Sequence, residues 1–222
     1  MIIAERKPIN EILGMVRDAE KILVLGCRGC VTVCSAGGER EVEILASLIR
    51  LGMQKQGKKV ETVEGSLVRQ CDKEYIDEID QWTGQYDAIV SMACGVGVNF
   101  IANLRPTVKV YPGVNTSFLG GSADQGVWTE QCAGCGNCVL HLTGGLCPVA
   151  RCAKSLMNGP CGGSVNGRCE IHQDVECIWQ SIHDRLGRIG NADAMHTIAP
   201  IRDWSTAGHG GPRKVLRDDL TV

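Results

Sequence analysis

KILVLGCRGCVTVCSAGGEREVEILASLIRLGMQKQGKKVETVEG, residues Lys21–Gly65, contains one complete strand–helix–strand unit. KILVL (Lys21–Leu25) is a compact apolar run of the length expected of a buried strand, and a Gly-Cys turn ends it. In Gly38–Gln56 the apolar positions Val42, Leu45, Ile49 and Met53 recur three or four residues apart, which lays one apolar stripe along a helix. Gly57 follows at the C′ position, where glycine is favoured. KKVETVEG (Lys58–Gly65) reads as the second strand.

The same alternation extends in both directions. Asn10 is a candidate N-cap ahead of Ile12, Leu13 and Val16, which keep helical spacing. Downstream come a helix from Asp72 to about Trp82, a buried strand in Tyr86–Cys94, a helix over Gly95–Leu104 and a short strand in Thr107–Val114. The order β-α-β-α-β-α-β predicts an α/β fold, a small doubly wound parallel sheet. Right-handed crossovers put all C-terminal strand ends on one edge, the edge where such sheets bind ligands. Cys27, Cys30 and Cys34 follow the first strand, Cys71 the second, and Cys94 closes the third, so five cysteines are expected at one rim.

After Asn115 the pattern changes. NTSFLGGSADQG (Asn115–Gly126) has no sustained periodicity, and from Cys132 to Cys177 glycine and cysteine recur every few residues. Only Asp174–Leu186 reads as a helix there, with Cys177, Ile178, Ile182 and Leu186 near one face. So short and Gly-rich a stretch buries little apolar core, and domains of that kind rely on metal or cross-links. Asn191–Val222 contains Pro200, Pro212 and a GHGGP run, and reads as an extended tail whose Trp204 and arginines anchor a partner. On this reading its deletion weakens a complex and leaves any metal site intact. The expected division is 1–118 for the α/β domain, 119–190 for an irregular cysteine-rich metal-binding domain, and 191–222 for the tail.

Composition narrows the chemistry. A net charge of −2 and a pI near 6.2 leave no basic footprint for nucleic acid. The N-terminus has no signal-peptide core, and no run approaches the roughly 20 apolar residues of a membrane span, so a cytoplasmic location is expected. In a reducing compartment 13 cysteines read as metal ligands rather than as disulfides, and an odd number sits poorly with complete pairing. His141, His172, His183, His196 and His209 are scattered, and no Ser-His-Asp grouping or carboxylate pair is legible. That absence weakens the reading of an autonomous hydrolase. GVG (Gly95–Gly97) is half of a dinucleotide fingerprint and reads better as a turn.

CAGCGNC (Cys132–Cys138) has the CxxCxxC spacing of a [4Fe-4S] site, and Gly134 and Gly136 suit tight wrapping. Cys147, followed by Pro148, resembles the Cys-Pro fourth ligand of a ferredoxin. Eight residues separate it from Cys138 instead of the usual three, so Cys147 or Cys152 could serve another site. A Cys₄ zinc site is the alternative, above all for Cys161, Cys169 and Cys177. At the sheet rim the first choice of ligands is Cys30, Cys34, Cys71 and Cys94, with Cys27 in reserve. The total, 13, is three sets of four with one left over.

LGCRGCVTVCSAGGEREVEIL (Leu25–Leu45), RQC (Arg69–Cys71), SMACGVG (Ser91–Gly97), VYPGVNTSFLGG (Val110–Gly121), CAGCGNC, TGGLCPVARCAKSLMNGPCGGS (Thr143–Ser164) and GRCE (Gly167–Glu170) together resemble the methylenetetrahydrofolate reductase C-terminal-domain family. Free-standing members include the small cysteine-rich subunit of the two-subunit reductase of acetogenic bacteria. The resemblance implies a partner, a TIM-barrel large subunit carrying FMN, on which methylenetetrahydrofolate is reduced to methyltetrahydrofolate. It further implies that this chain relays electrons through two or three [4Fe-4S] clusters from a ferredoxin-like or other redox donor to that flavin. The alternative is a redox-inert, zinc-stabilised subunit that shapes the catalytic one.

Overall fold

The computed structural model describes residues 1–217 and 219, and it divides into two compact units, Met1–Thr129 and Glu130–Val222. Asp218, Leu220, Thr221 and Val222, the last part of the expected tail, lie outside the described residues.

The first unit opens with β1 (Ile2–Arg6) and α1 (Ile9–Met15), followed by β2 (Lys21–Cys27), α2 (Cys30–Val33) and α3 (Glu39–Lys55). Next come β3 (Glu61–Leu67), α4 (Lys73–Ile76), β4 (Ala88–Ser91), α5 (Gly95–Leu104) and β5 (Lys109–Pro112). β6 (Val114–Asp124) and β7 (Val127–Cys132) complete the strands. The four strands anticipated from the sequence form one parallel sheet in the order β3-β2-β4-β5.

Alternation along β2 explains the double winding. Ile22 and Val24 enter a core built with α1 and α3, whereas Leu23 and Leu25 enter a second core on the opposite face with Ile76, Ile79 and Ile101. In α3 the predicted stripe Val42, Leu45, Ile49 and Met53 is buried together with Ala46. The expected helix from Asp72 to Trp82 is one α-turn, α4, that tightens into a 3₁₀ segment over Asp77–Trp82. Arg105 bridges Asp77 and Asp80 at 3.1 and 3.0 Å and ties that segment to the end of α5.

A second, antiparallel sheet, β1-β6-β7, occupies the stretch that lacked periodicity. Of β6 only Val114 is buried, so its sequence carries no strong two-residue alternation. Gly120 sits where a Cβ would strike the Thr129 carbonyl, which explains glycine inside a strand.

The second unit has little regular structure: α6 (Pro148–Arg151), α7 (Ile178–Arg188) and short 3₁₀ turns. Its core is small, with Ile178, Trp179, Ile182 and Leu186 of α7 packed with Cys177, Cys152, Leu146 and Met195. Trp179 Nε1 donates to Leu156 O at 3.2 Å and fixes the strand-poor chain against the helix. Among the described residues no helix is long and apolar enough to cross a membrane.

Candidate metal centre

β2 and β4 are neighbours whose chains continue to opposite sides of the sheet, so the crevice beyond their C-terminal ends is a topological switch point. Cys27 ends β2, Cys30 begins α2, Cys71 follows β3, and Cys94 caps α5 just beyond β4. Burial of the Cys71 thiol pushes its pKa up, and the Cys27, Cys94 and Cys30 thiols push it further, which places these four within electrostatic reach of one another. Cys71 is exposed as a residue even though its sulfur is partly desolvated.

Cys34 is elsewhere. It is 7% exposed, lies in the core shared with α1 and α3, and its thiol donates to Ala4 O and Val31 O, each at 3.7 Å. The structure thus groups Cys27, the expected reserve, with Cys30, Cys71 and Cys94, and leaves Cys34 outside. Helical spacing between Cys30 and Cys34 suggested a shared face, but α2 ends at Val33, and the turn carries Cys34 inward.

The residue that organises this rim is Gln70, which sequence reasoning passed over. It is fully buried, its amide donates to Leu25 O and Gly26 O at 2.9 and 2.8 Å, and it accepts from Ser91 Oγ at 2.6 Å. One side chain therefore joins the ends of β2 and β4 to the loop carrying Cys71. Gly37 makes a close approach of its own: its carbonyl accepts from Cys27 N at 3.0 Å, and a Cβ there would strike the Met92 carbonyl.

In the second unit, Cys152, Cys161, Cys169 and Cys177 line one small cavity of about 20 Å³ with Lys154, Glu170 and Trp179. A hairpin-like turn positions two of them: Cys169 N donates to Val175 O at 3.0 Å and Cys177 N to Gly167 O at 2.8 Å. Asn166 and Gly167, both at positive φ, make the reversal. Backbone N–H groups of His172 and Ile171 lower the Cys169 pKa, and Lys154, which pairs with Glu170, adds to the effect. This set joins Cys152 to the three thiols for which zinc was the expected alternative.

The CAGCGNC loop leaves Cys132 and Cys138 exposed and Cys135 half-buried. Gly134 N donates to Cys132 Sγ at 3.3 Å, in the manner of an amide wrapping a thiolate. The segment expected to be a detached tail closes over this loop. Arg202 Nη2 donates to Cys135 Sγ at 2.9 Å and to Asn137 O, Thr206 Oγ1 to Cys135 O at 3.0 Å, and Arg213 Nη1 to Gly134 O at 2.8 Å. Gly136, at φ +78°, faces Thr206 so closely that a Cβ would strike its carbonyl. Residues 202–213 are therefore part of the cysteine-rich unit, and the expectation that the whole tail is separable from the metal sites is replaced. Cys147 caps α6.

Three observations bear on which group these thiols fit. Every cysteine is free. Among the described residues no group of three or more His, Cys, Asp or Glu side chains is close enough to hold a single metal ion. Finally, Arg202 Nε and Nη1 are buried without a hydrogen-bond partner beside Cys135. Orphan donors next to a soft thiol suit an anionic, sulfide-bearing cluster.

These features define a cysteine-rich α/β protein with its thiols gathered at loops. Residues 111–205 match the family described as methylene-tetrahydrofolate reductase C terminal, so that stretch of the chain is similar to that family. No curated protein and no solved structure matches the chain.

Proposed function

We propose that this chain is the electron-relaying, non-catalytic subunit of a methylenetetrahydrofolate reductase, holding [4Fe-4S] clusters that serve the FMN of a catalytic large subunit. The family match supports a reductase-related subunit, and the observation that carries the relay is the sorting of the thiols. Cys27, Cys30, Cys71 and Cys94 form one quartet, Cys152, Cys161, Cys169 and Cys177 a second, and Cys34 is set aside in the core. The remaining four are Cys132, Cys135, Cys138 and Cys147, the ferredoxin-like set.

Bound clusters supply one-electron chemistry, and the protein sets their positions and potentials. Gln70 and Gly37 hold the rim quartet in register with the sheet. Arg202, Thr206 and Arg213 hold the backbone and the central thiol of the CAGCGNC loop. Ile198, Ile201, Val215 and Leu216 expose 68–102% of their surface in the C-terminal segment, as anchors for a large-subunit partner would.

The test is a pair of substitutions, Cys27→Ser and Cys34→Ser, read by iron content and electron paramagnetic resonance of the dithionite-reduced protein. The assignment requires that Cys27→Ser lose or alter one cluster signal and that Cys34→Ser keep all of them. The reverse result would sink it. The alternative, a zinc-stabilised scaffold, predicts a colourless protein that neither substitution changes spectroscopically.

A further inference from the structure

A cleft of about 570 Å³ in the second unit is lined by Arg151, Arg168, Arg185 and Arg188, with Glu176 and Asp184 the only acids on its wall. Among the described residues none of these four arginines forms an ion pair with a carboxylate. Arg168 donates to Asp174 O at 3.2 Å and Arg185 to Gly144 O at 3.3 Å, so each keeps donors to spare. Four guanidinium charges thus line one concave surface against two carboxylates, of which Asp184 already feels the charge of Arg188, and an excess of positive charge remains. A chain with net charge −2 that concentrates four arginines against two acids in one place has built a positive field there.

The cleft borders the second thiol quartet. Arg151 and Glu176 line both the cleft and the cavity of Cys152, Cys161, Cys169 and Cys177, and Arg168 directly precedes Cys169. We propose that this arginine cleft is the docking surface for a small, strongly acidic electron-carrier protein, seated so that its own cofactor lies beside that quartet. The proposal deepens the relay reading and rests on it.

Carboxylates are the matching chemistry, because the guanidinium fork takes them two oxygens at a time. A nucleotide fits less well: Leu146 is the one large apolar side chain on the wall, and no aromatic ring is present to hold a base. Transient redox encounters use small, charge-steered surfaces of this kind.

The probe is an acidic bacterial two-cluster ferredoxin, titrated against the full chain, in its complex where a partner co-purifies, at low and at physiological ionic strength. Charge reversal in Arg185→Glu/Arg188→Glu is expected to raise Kd by about tenfold or more and to flatten its salt dependence. Arg185→Lys/Arg188→Lys, which keeps the charge, is expected to retain most of the affinity and the salt slope. Unchanged affinity in the Glu pair, or binding of pyrophosphate but not of ferredoxin, would overturn the proposal. Iron content and reduction by dithionite are measured on the same samples. Their absence in the wild-type chain would refute the relay reading, whereas their presence with unaltered ferredoxin binding would refute the docking surface alone.

Discussion

Replacing Arg202 with alanine isolates what the C-terminal segment does for the CAGCGNC loop. The guanidinium donates to Cys135 Sγ at 2.9 Å and to Asn137 O, and it lies 4.7 Å from the Trp204 ring centroid. Hydrogen bonds involving a charged group contribute about 1.5–3 kcal/mol each, and an exposed cation–π contact about 0.5–1 kcal/mol. Ordering the long side chain opposes this by about 1.5–2 kcal/mol, and its two orphan donors, Nε and Nη1, oppose it further by about 2 kcal/mol each. With the two charge-assisted hydrogen bonds and the cation–π contact at the strong end of their ranges the balance falls near 1 kcal/mol, roughly a five- to tenfold change in the frequency of loop opening. Hydrogen exchange read by mass spectrometry on the protein as isolated measures that frequency. Peptides spanning Cys132–Cys138 should exchange about five- to tenfold faster in Arg202→Ala, while α3 peptides, in the other unit, stay unchanged. Equal exchange in the loop would show that the C-terminal contacts do not hold it and would restore the picture of a separable tail.

Gln70→Ala removes three hydrogen bonds beside the rim quartet and leaves the Leu25 carbonyl only its bond from Met92 N, so a loss of about 2–4 kcal/mol in chemical denaturation is expected, with lower metal content. Gly37→Ala should reduce soluble yield and iron together, because the Met92 backbone cannot move away without disturbing the end of the sheet. In metal-free protein, alkylation of Cys169 should reach its half-maximal rate at a lower pH than that of an ordinary thiol, and alkylation of Cys71 at a higher one. The sign follows from thiolate being the nucleophile: a lowered pKa populates it earlier as pH rises, and a raised pKa later. Mass-spectrometric mapping across a pH series checks both, and a reversed order of the two residues would contradict the placement of the thiols.

The parallel sheet was legible because β2 and β4 are short, continuously apolar buried runs and α3 buries its apolar residues at a period near 3.6. The β1-β6-β7 sheet was not, since its strands are mostly solvent-facing and glycine interrupts β6. Strand order gave the location of the rim cysteines, but the choice between Cys27 and Cys34 depended on α2 ending after a single turn, which no periodicity reports. Gln70 had no sequence signature: a glutamine in a loop before a cysteine looks solvated until the strand ends close around it. In the second unit, the cysteines of the quartet Cys152, Cys161, Cys169 and Cys177 lie eight or nine positions apart at every step, and the turn at Asn166–Gly167 and the packing of Trp179 bring them together. The arginines of residues 202–213 gave a composition suited to an interface, and their actual engagement with the CAGCGNC backbone is a tertiary fact that composition does not encode.

Iron, acid-labile sulfide and zinc, counted on anaerobically purified protein and set beside its visible spectrum before and after dithionite, test the central claim most directly. Two filled quartets predict about eight iron and about eight sulfide per chain, with about four more of each if the third is filled. They also predict a brown protein that bleaches on reduction. A colourless protein that contains zinc and no sulfide would contradict the account.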